Sequence, residues 1–211
     1  MNNPYTDYLR KQSNTENFIL RSICVHPKLK IIYFKPGKAA GTSIFRKNLQ
    51  PRGGWVIHKD NPSEFNKWLQ NINDKELNNY FKFTFVRNPF SRLVSYWYDT
   101  FLSVYPNFKD LVKEGIFNKK GNPKKLHFQT QSGLFSTPEG NILDLDFIGK
   151  VENIDNDWEI LCNKINIPFQ KLGHYTKNSY NKYTTYYDKK TIEIVSKWYK
   201  KDLEIFNYKF N

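Results

Sequence analysis

Three short, nearly unbroken apolar runs stand out from a polar background. They are centred on Ile31-Ile-Tyr-Phe34, on Phe81-Lys-Phe-Thr-Phe-Val86 and on Leu143-Asp-Leu-Asp-Phe-Ile-Gly-Lys150. Runs of this length, bounded by turn residues, predict buried strands over residues 29–35, 80–86 and 143–150. Trp55-Val-Ile-His58 predicts a further extended piece. Between the strands the apolar period lengthens to that of a helix. Residues 42–49 predict a short helix, broken by Pro51-Arg-Gly-Gly54. Asn61-Pro-Ser-Glu64 supplies a cap, a proline for the first turn and an early acid, and Phe65, Trp68, Leu69 and Ile72 follow at helical spacing. Asn88 and Pro89 open another helix, with Phe90, Leu93, Val94, Trp97 and Phe101 on one face. Asp155 and Asp188 open two more, carrying Trp158, Leu161, Cys162 and Ile165, and Ile192, Val195, Tyr199 and Phe206. Residues 1–28 read as a polar lead-in and 103–141 as irregular. Alternating strands and helices predict an α/β domain over residues 29–211, with a mainly parallel central sheet flanked by helices.

The turn after the first strand is Lys35-Pro-Gly-Lys-Ala-Ala-Gly-Thr-Ser43. A strand, a small-residue turn and a helix N-terminus form an anion site, because backbone N–H groups and the positive end of the helix dipole converge there. Gly37, Ala39, Ala40 and Gly41 let an oxyanion approach; Lys35 and Lys38 add charge, and Thr42 and Ser43 add hydroxyl donors. The alternative is a turn that merely happens to be flanked by lysines. The turn is P-loop-like, in a three-layer setting, but it departs from the nucleoside-triphosphatase loop, which requires Gly-Lys directly before Ser or Thr. Here Gly41 alone precedes Thr42.

Composition narrows the ligand. The 211 residues carry a formal net charge of +13 and 17% aromatic residues, enough for a sizeable core and suited to an anionic partner. No apolar run reaches the ~18 residues of a membrane span. The N-terminus lacks the pattern of a secretory signal, and Cys24 and Cys162 offer neither a disulfide framework nor a zinc spacing. A cytoplasmic protein is expected. Most of the lysines are scattered, as on any solvated surface. Arginine is scarce, yet two of the six fall in one segment, Phe83-Thr-Phe-Val-Arg-Asn-Pro-Phe-Ser-Arg-Leu-Val-Ser95.

That segment sends a strand into Arg87 at the carboxyl edge of the predicted sheet, where open α/β folds bind ligands. Ser91 and Ser95 share a face of the following helix. Taken alone, Arg87 could simply cap the sheet edge. The two motifs together resemble the sulfotransferases that use 3′-phosphoadenosine 5′-phosphosulfate (PAPS), closest to the carbohydrate sulfotransferases. Further landmarks of that family follow in order: His127-Phe-Gln-Thr-Gln131, Phe147-Ile-Gly-Lys-Val-Glu-Asn153 with Asp157-Trp158, and Lys200-Lys-Asp-Leu-Glu-Ile-Phe-Asn-Tyr208. The likeness runs from about Ile31 to Phe210. It departs at Gly37 and Thr130, where the family usually has proline.

The resemblance implies that the loop from Lys35 to Ser43 holds the 5′-phosphosulfate and that Arg87 and Ser95 hold the 3′-phosphate. Lys177, Ser179 and Tyr183 would belong to a late loop over the nucleotide. Lys38 would stabilise charge on the leaving oxygen. An acceptor hydroxyl must lose a proton, and histidine suits that task near neutral pH. His58 lies in the interval from which related enzymes draw the catalytic base; its alternative role is packing on Trp55 and capping the next helix. His127 and Gln131 are expected near the acceptor. The acceptor expected is a saccharide hydroxyl, with lysines 119, 120, 124 and 125 available to an anionic one. Sulfuryl transfer moves less negative charge than phosphoryl transfer, so no metal is required, and Asp144 and Asp146 read as ordinary strand and loop residues. Two rivals remain at this level: an ATP-dependent P-loop kinase, and a basic nucleic-acid-binding protein that catalyses nothing.

Overall fold

Five strands hold the molecule together: β1 (Ile23–His26), β2 (Ile31–Phe34), β3 (Val56–Ile57), β4 (Phe81–Val86) and β5 (Phe147–Lys150). The structure is a computed structural model that describes residues 6–7, 9–10, 22–58, 60–116, 128–137, 139–173 and 181–211. The strands line up in the order β3-β1-β2-β4-β5. β2, β4 and β5 run parallel, whereas β1 is antiparallel to both β2 and β3. The sheet is therefore mixed, not mainly parallel as the alternation of elements predicts.

The difference comes from β1, which the sequence reading assigned to the lead-in. Ile23-Cys-Val-His26 is only four residues long and carries no periodic neighbour, so pattern alone does not reveal it. A tight turn joins it to β2: Lys30 takes a left-handed φ of 52°, and its N–H donates to the Pro27 carbonyl at 3.3 Å. The Leu29 N–H donates to His26 Nδ1 at 3.2 Å. Burial holds the His26 imidazole below its ordinary pKa, consistent with a neutral acceptor. Earlier residues join the fold as well. Leu9 lies in the core, and the Arg10 guanidinium donates to the carbonyls of Leu69 and Ile72 at the end of a helix.

Helices cover both faces. On one side α1 (Thr42–Leu49), wound as a π-helix, and α6 (Ile154–Lys164) bury Ile44, Phe45, Leu49, Trp158 and Leu161 against Cys24, Tyr33, Phe83 and Phe85. On the other, α2 (Pro62–Asn71) and α3 (Asp74–Asn78) bury Phe65, Leu69 and Leu77 against Ile23, Val25, Ile32 and Phe34. Alternate residues of each strand thus point into different cores, which is why β2 and β4 read as continuous apolar runs. A third cluster joins α4 (Pro89–Tyr96), α5 (Phe108–Asp110) and α7 (Lys189–Trp198), and α8 (Lys200–Ile205) follows directly. Asn61, Asn88 and Asp188 each cap a helix as their sequence context predicts. Among the described residues no helix is long and apolar enough to cross a membrane.

The mixed order has a functional consequence. Because β1 alone is reversed, β2, β3, β4 and β5 all end at one edge of the sheet. The turn after β2, His58 after β3 and Arg87 after β4 therefore share that edge. The register pairs Tyr33 with Cys24 and Cys24 with Ile57. One step further, His58 is level with Phe34, two strands away, or about 10 Å at the usual strand spacing.

The contact between β4 and β5 depends on a missing side chain. A Cβ at Gly149 would stand 2.4 Å from the Phe85 ring. Gly149→Ala should destabilise the protein by roughly 1–3 kcal/mol through overpacking, measured by chemical denaturation.

Candidate active site

The turn after β2 is fixed from several directions. Lys38 and Ala40 adopt left-handed backbone angles, φ 65° and 57°. Such angles are uncommon outside glycine. Left-handed Ala40 next to right-handed Gly41 gives the alternation that turns successive N–H groups to one side. A Cβ at Gly41 would lie 3.0 Å from Lys35 Cγ, so this glycine makes room for the Lys35 stem to cross the turn. Ala39 is buried whole and packs the turn against the core. The Gly37 carbonyl accepts from Arg92 Nε at 2.9 Å. Ser43 Oγ donates to the Gly173 carbonyl at 3.1 Å, and Thr42 is half-buried beside it. Lys38 Nζ lies 3.2 Å from Asp99 Oδ2.

Arg87 is delivered by β4 and held by its own main chain. Gln131 Nε2 donates to the Arg87 carbonyl at 2.8 Å, and the Arg87 N–H donates to Gln131 Oε1 at 2.9 Å. Gln131 is fully buried and is itself fixed by Asp202 on α8, which accepts from the N–H groups of Gln131 and Ser132 and from the Ser132 hydroxyl at 2.7, 2.9 and 2.7 Å. The next residue is tied down too. The Asn88 N–H donates to Glu152 at 2.8 Å, the Tyr208 hydroxyl donates to the same carboxylate at 2.7 Å, and Asn88 Nδ2 reaches the Lys209 carbonyl at 2.8 Å. Burial, then the Glu152 charge, pushes the Tyr208 phenol well above its ordinary range and keeps it a donor.

With its main chain fixed, Arg87 reaches the site. Its Nε donates to Ser91 Oγ at 3.1 Å and its Nη1 approaches the Lys38 carbonyl at 3.5 Å. Ser95 lies one turn further along α4 and is nearly buried. The guanidinium of Arg92 is buried. Besides Gly37, it donates to the Gln129 carbonyl at 2.9 Å and lies 5.8 Å from the Tyr199 ring centre. The turn, the start of α4 and the segment around residue 130 are thus one bonded unit.

The structure redistributes the sequence expectations. Lys35, Gly37, Lys38, Ala39, Ala40, Gly41, Thr42, Ser43 and Arg87 come together at one edge, with Ser95 on the adjoining helix. Gln131, expected at the acceptor, spends its amide on the Arg87 main chain. Tyr183, expected over the nucleotide, donates to the Asn211 carbonyl at 2.5 Å and packs on Phe210. His58 is half-buried, its ring edge-on to Phe65 at 5.4 Å. The Trp55 ring meets His26 and Phe45. His127, Lys177, Ser179 and the lysines at 119–125 lie outside the described residues. Asp146 precedes β5 and accepts from the Lys82 N–H at 2.7 Å. Among the described residues no cluster of three or more His, Cys, Asp or Glu could hold a metal.

Arg92, Asp99, Glu152 and Asp202 were not singled out from sequence. Arg92 sits inside the quoted motif, and Asp99 lies four residues beyond Ser95, so spacing alone could have flagged both. Glu152 and Asp202 act over long separations that no local pattern records. Asp202→Ala would leave three buried donors without an acceptor. It should cost about 3 kcal/mol or more of stability and lower the melting temperature accordingly.

Residues 21–209 match the sequence model of the sulfotransferase family. Carbohydrate sulfotransferase 10 of Xenopus laevis is 26% identical over 189 residues, covering 79% of this chain and 53% of that protein. The chain thus spans about half the length of the curated relative it matches. No solved structure matches it. The family match takes in every strand of the sheet, the Lys38 turn and the Arg87 turn, and on that extent the chain belongs to the sulfotransferase family.

Proposed function

We propose that this chain transfers the sulfuryl group of PAPS to a hydroxyl of a saccharide. One observation carries the reading of the donor site: the Arg87 guanidinium meets the main chain of Lys38, so two anion-binding elements far apart in sequence form one continuous surface. The family supports sulfotransfer. The saccharide is supported by the name of the relative from Xenopus laevis and by the order of the sequence landmarks.

The residues fit a nucleotide with two separated phosphates. The turn from Lys35 to Ser43 would take the 5′ end, and Arg87 with Ser91 and Ser95 the 3′-phosphate. PAPS supplies a sulfuryl group on a phosphate leaving group. Lys38 and the turn amides would hold the 5′ end and stabilise charge on its leaving oxygen. His58, after β3 on the same edge, would take up the hydroxyl proton.

Two measurements test this. Adenosine 3′,5′-bisphosphate should bind more tightly than AMP by calorimetry, and Arg87→Ala should remove most of the difference, roughly 1.5–3 kcal/mol. Equal affinities in the wild type would sink the 3′-phosphate assignment, and stabilisation by ATP-magnesium or by an oligonucleotide instead would favour the kinase or the nucleic-acid reading.

His58→Ala should bind the bisphosphate normally while transfer from labelled PAPS to a saccharide panel falls by about 10²–10⁴-fold. A folded, fully active variant would exclude His58 as the base. An unfolded one would show that its contact with Phe65 is structural.

A further inference from the structure

The face that α4 turns to the site is built for anions, with one exception. Ser91 and Ser95 recur at four-residue spacing and Arg87 lies before them. The next position in that series is Asp99, in the π-wound continuation of the helix, Trp97–Phe101. A carboxylate there repels any phosphate or sulfate held nearby, so anion binding does not explain it. Its contacts do. Asp99 Oδ2 lies 3.2 Å from Lys38 Nζ and also faces the Thr100 hydroxyl at 3.4 Å. The Lys38 side chain is 17% exposed and that of Asp99 51%, so the pair joins a largely enclosed lysine to a half-exposed aspartate.

Lysine presents a compact charge on a stem with four rotatable bonds. The main chain of Lys38 is already fixed by its left-handed angle and by Arg87. Those contacts do not set the stem's torsions, and an ammonium that wanders stabilises charge at the wrong place. We propose that Asp99 is the positioning residue of Lys38, holding its ammonium at the 5′ end of the donor site. This rests on the sulfotransferase reading above. It assigns Asp99 an effect on turnover exerted through Lys38, with no contact of its own to the donor.

The test compares wild type, Asp99→Asn, Asp99→Glu, Lys38→Ala and the Lys38→Ala/Asp99→Asn double variant. Cleavage of labelled PAPS is followed with water as the only nucleophile, and affinity for adenosine 3′,5′-bisphosphate is measured by calorimetry. Asp99→Asn should slow cleavage by about 5–10-fold, a size suited to a half-exposed pair, and leave bisphosphate affinity unchanged or tighter. Asp99→Glu should recover most of the rate. In the Lys38→Ala background Asp99→Asn should have no further effect. An undiminished loss in that background would overturn the proposal, because the carboxylate would then act independently of Lys38. So would an Asp99→Asn enzyme as fast as wild type, or one that loses bisphosphate affinity instead of rate. A wild type that does not prefer the bisphosphate over AMP would overturn the sulfotransferase reading itself, and this inference with it. A normal wild type with an indifferent Asp99→Asn would overturn the inference alone.

Discussion

A buried guanidinium sits where three pieces of chain meet. Arg92 donates to Gly37 in the turn after β2 and to Gln129 in the segment that carries Gln131, while its own helix begins at the Arg87 turn. Burying a cation costs free energy unless its donors are matched, and here carbonyl oxygens and the Tyr199 ring face it. The Lys38 turn and the Arg87 turn therefore cannot move independently. Each depends on the same side chain for its place, and the spacing between the proposed phosphate sites is fixed by covalent geometry and hydrogen bonds rather than by the ligand.

A second framework holds Arg87 from behind. Asp202 on α8 fixes Gln131, Gln131 fixes the Arg87 main chain, and Glu152 with Tyr208 fixes Asn88. These supports come from residues 131–208, so the edge of the sheet is completed only when that later part of the chain has docked. Buried polar networks of this kind are stabilising when every donor finds an acceptor and costly when one is lost. The arrangement gives Arg87 a rigid base while its guanidinium faces the site.

Charge shows the same division between bulk and site. The formal net charge of +13 is spread over a surface of solvated lysines. Three cations of the candidate site are individually partnered: Lys38 by Asp99, Arg92 by carbonyls, Arg87 by Ser91. The overall excess favours approach of an anion, whereas the partnered groups are fixed in place at the candidate site.

The sequence by itself determined the parts of this protein that depend on neighbours in the chain. The apolar runs of β2 and β4 are legible because both faces of those strands are buried, and Asn61, Asn88 and Asp188 are legible as caps because capping acts within one turn of helix. The same locality exposed the Lys38 turn and the Arg87 segment as motifs. Tertiary structure alone decided the rest. Strand β1 is four residues long and becomes a strand only between β2 and β3, and its reversal makes the sheet mixed and sets His58 on the same edge as the turn. Gln131 looked like a residue for the acceptor, but its partner is the main chain of a residue 44 positions earlier. Asp202 is buried and committed to a segment 71 positions earlier. Pattern reports spacings up to a few turns of helix, whereas these groups are placed by packing that brings distant segments together, and only the folded chain contains that information.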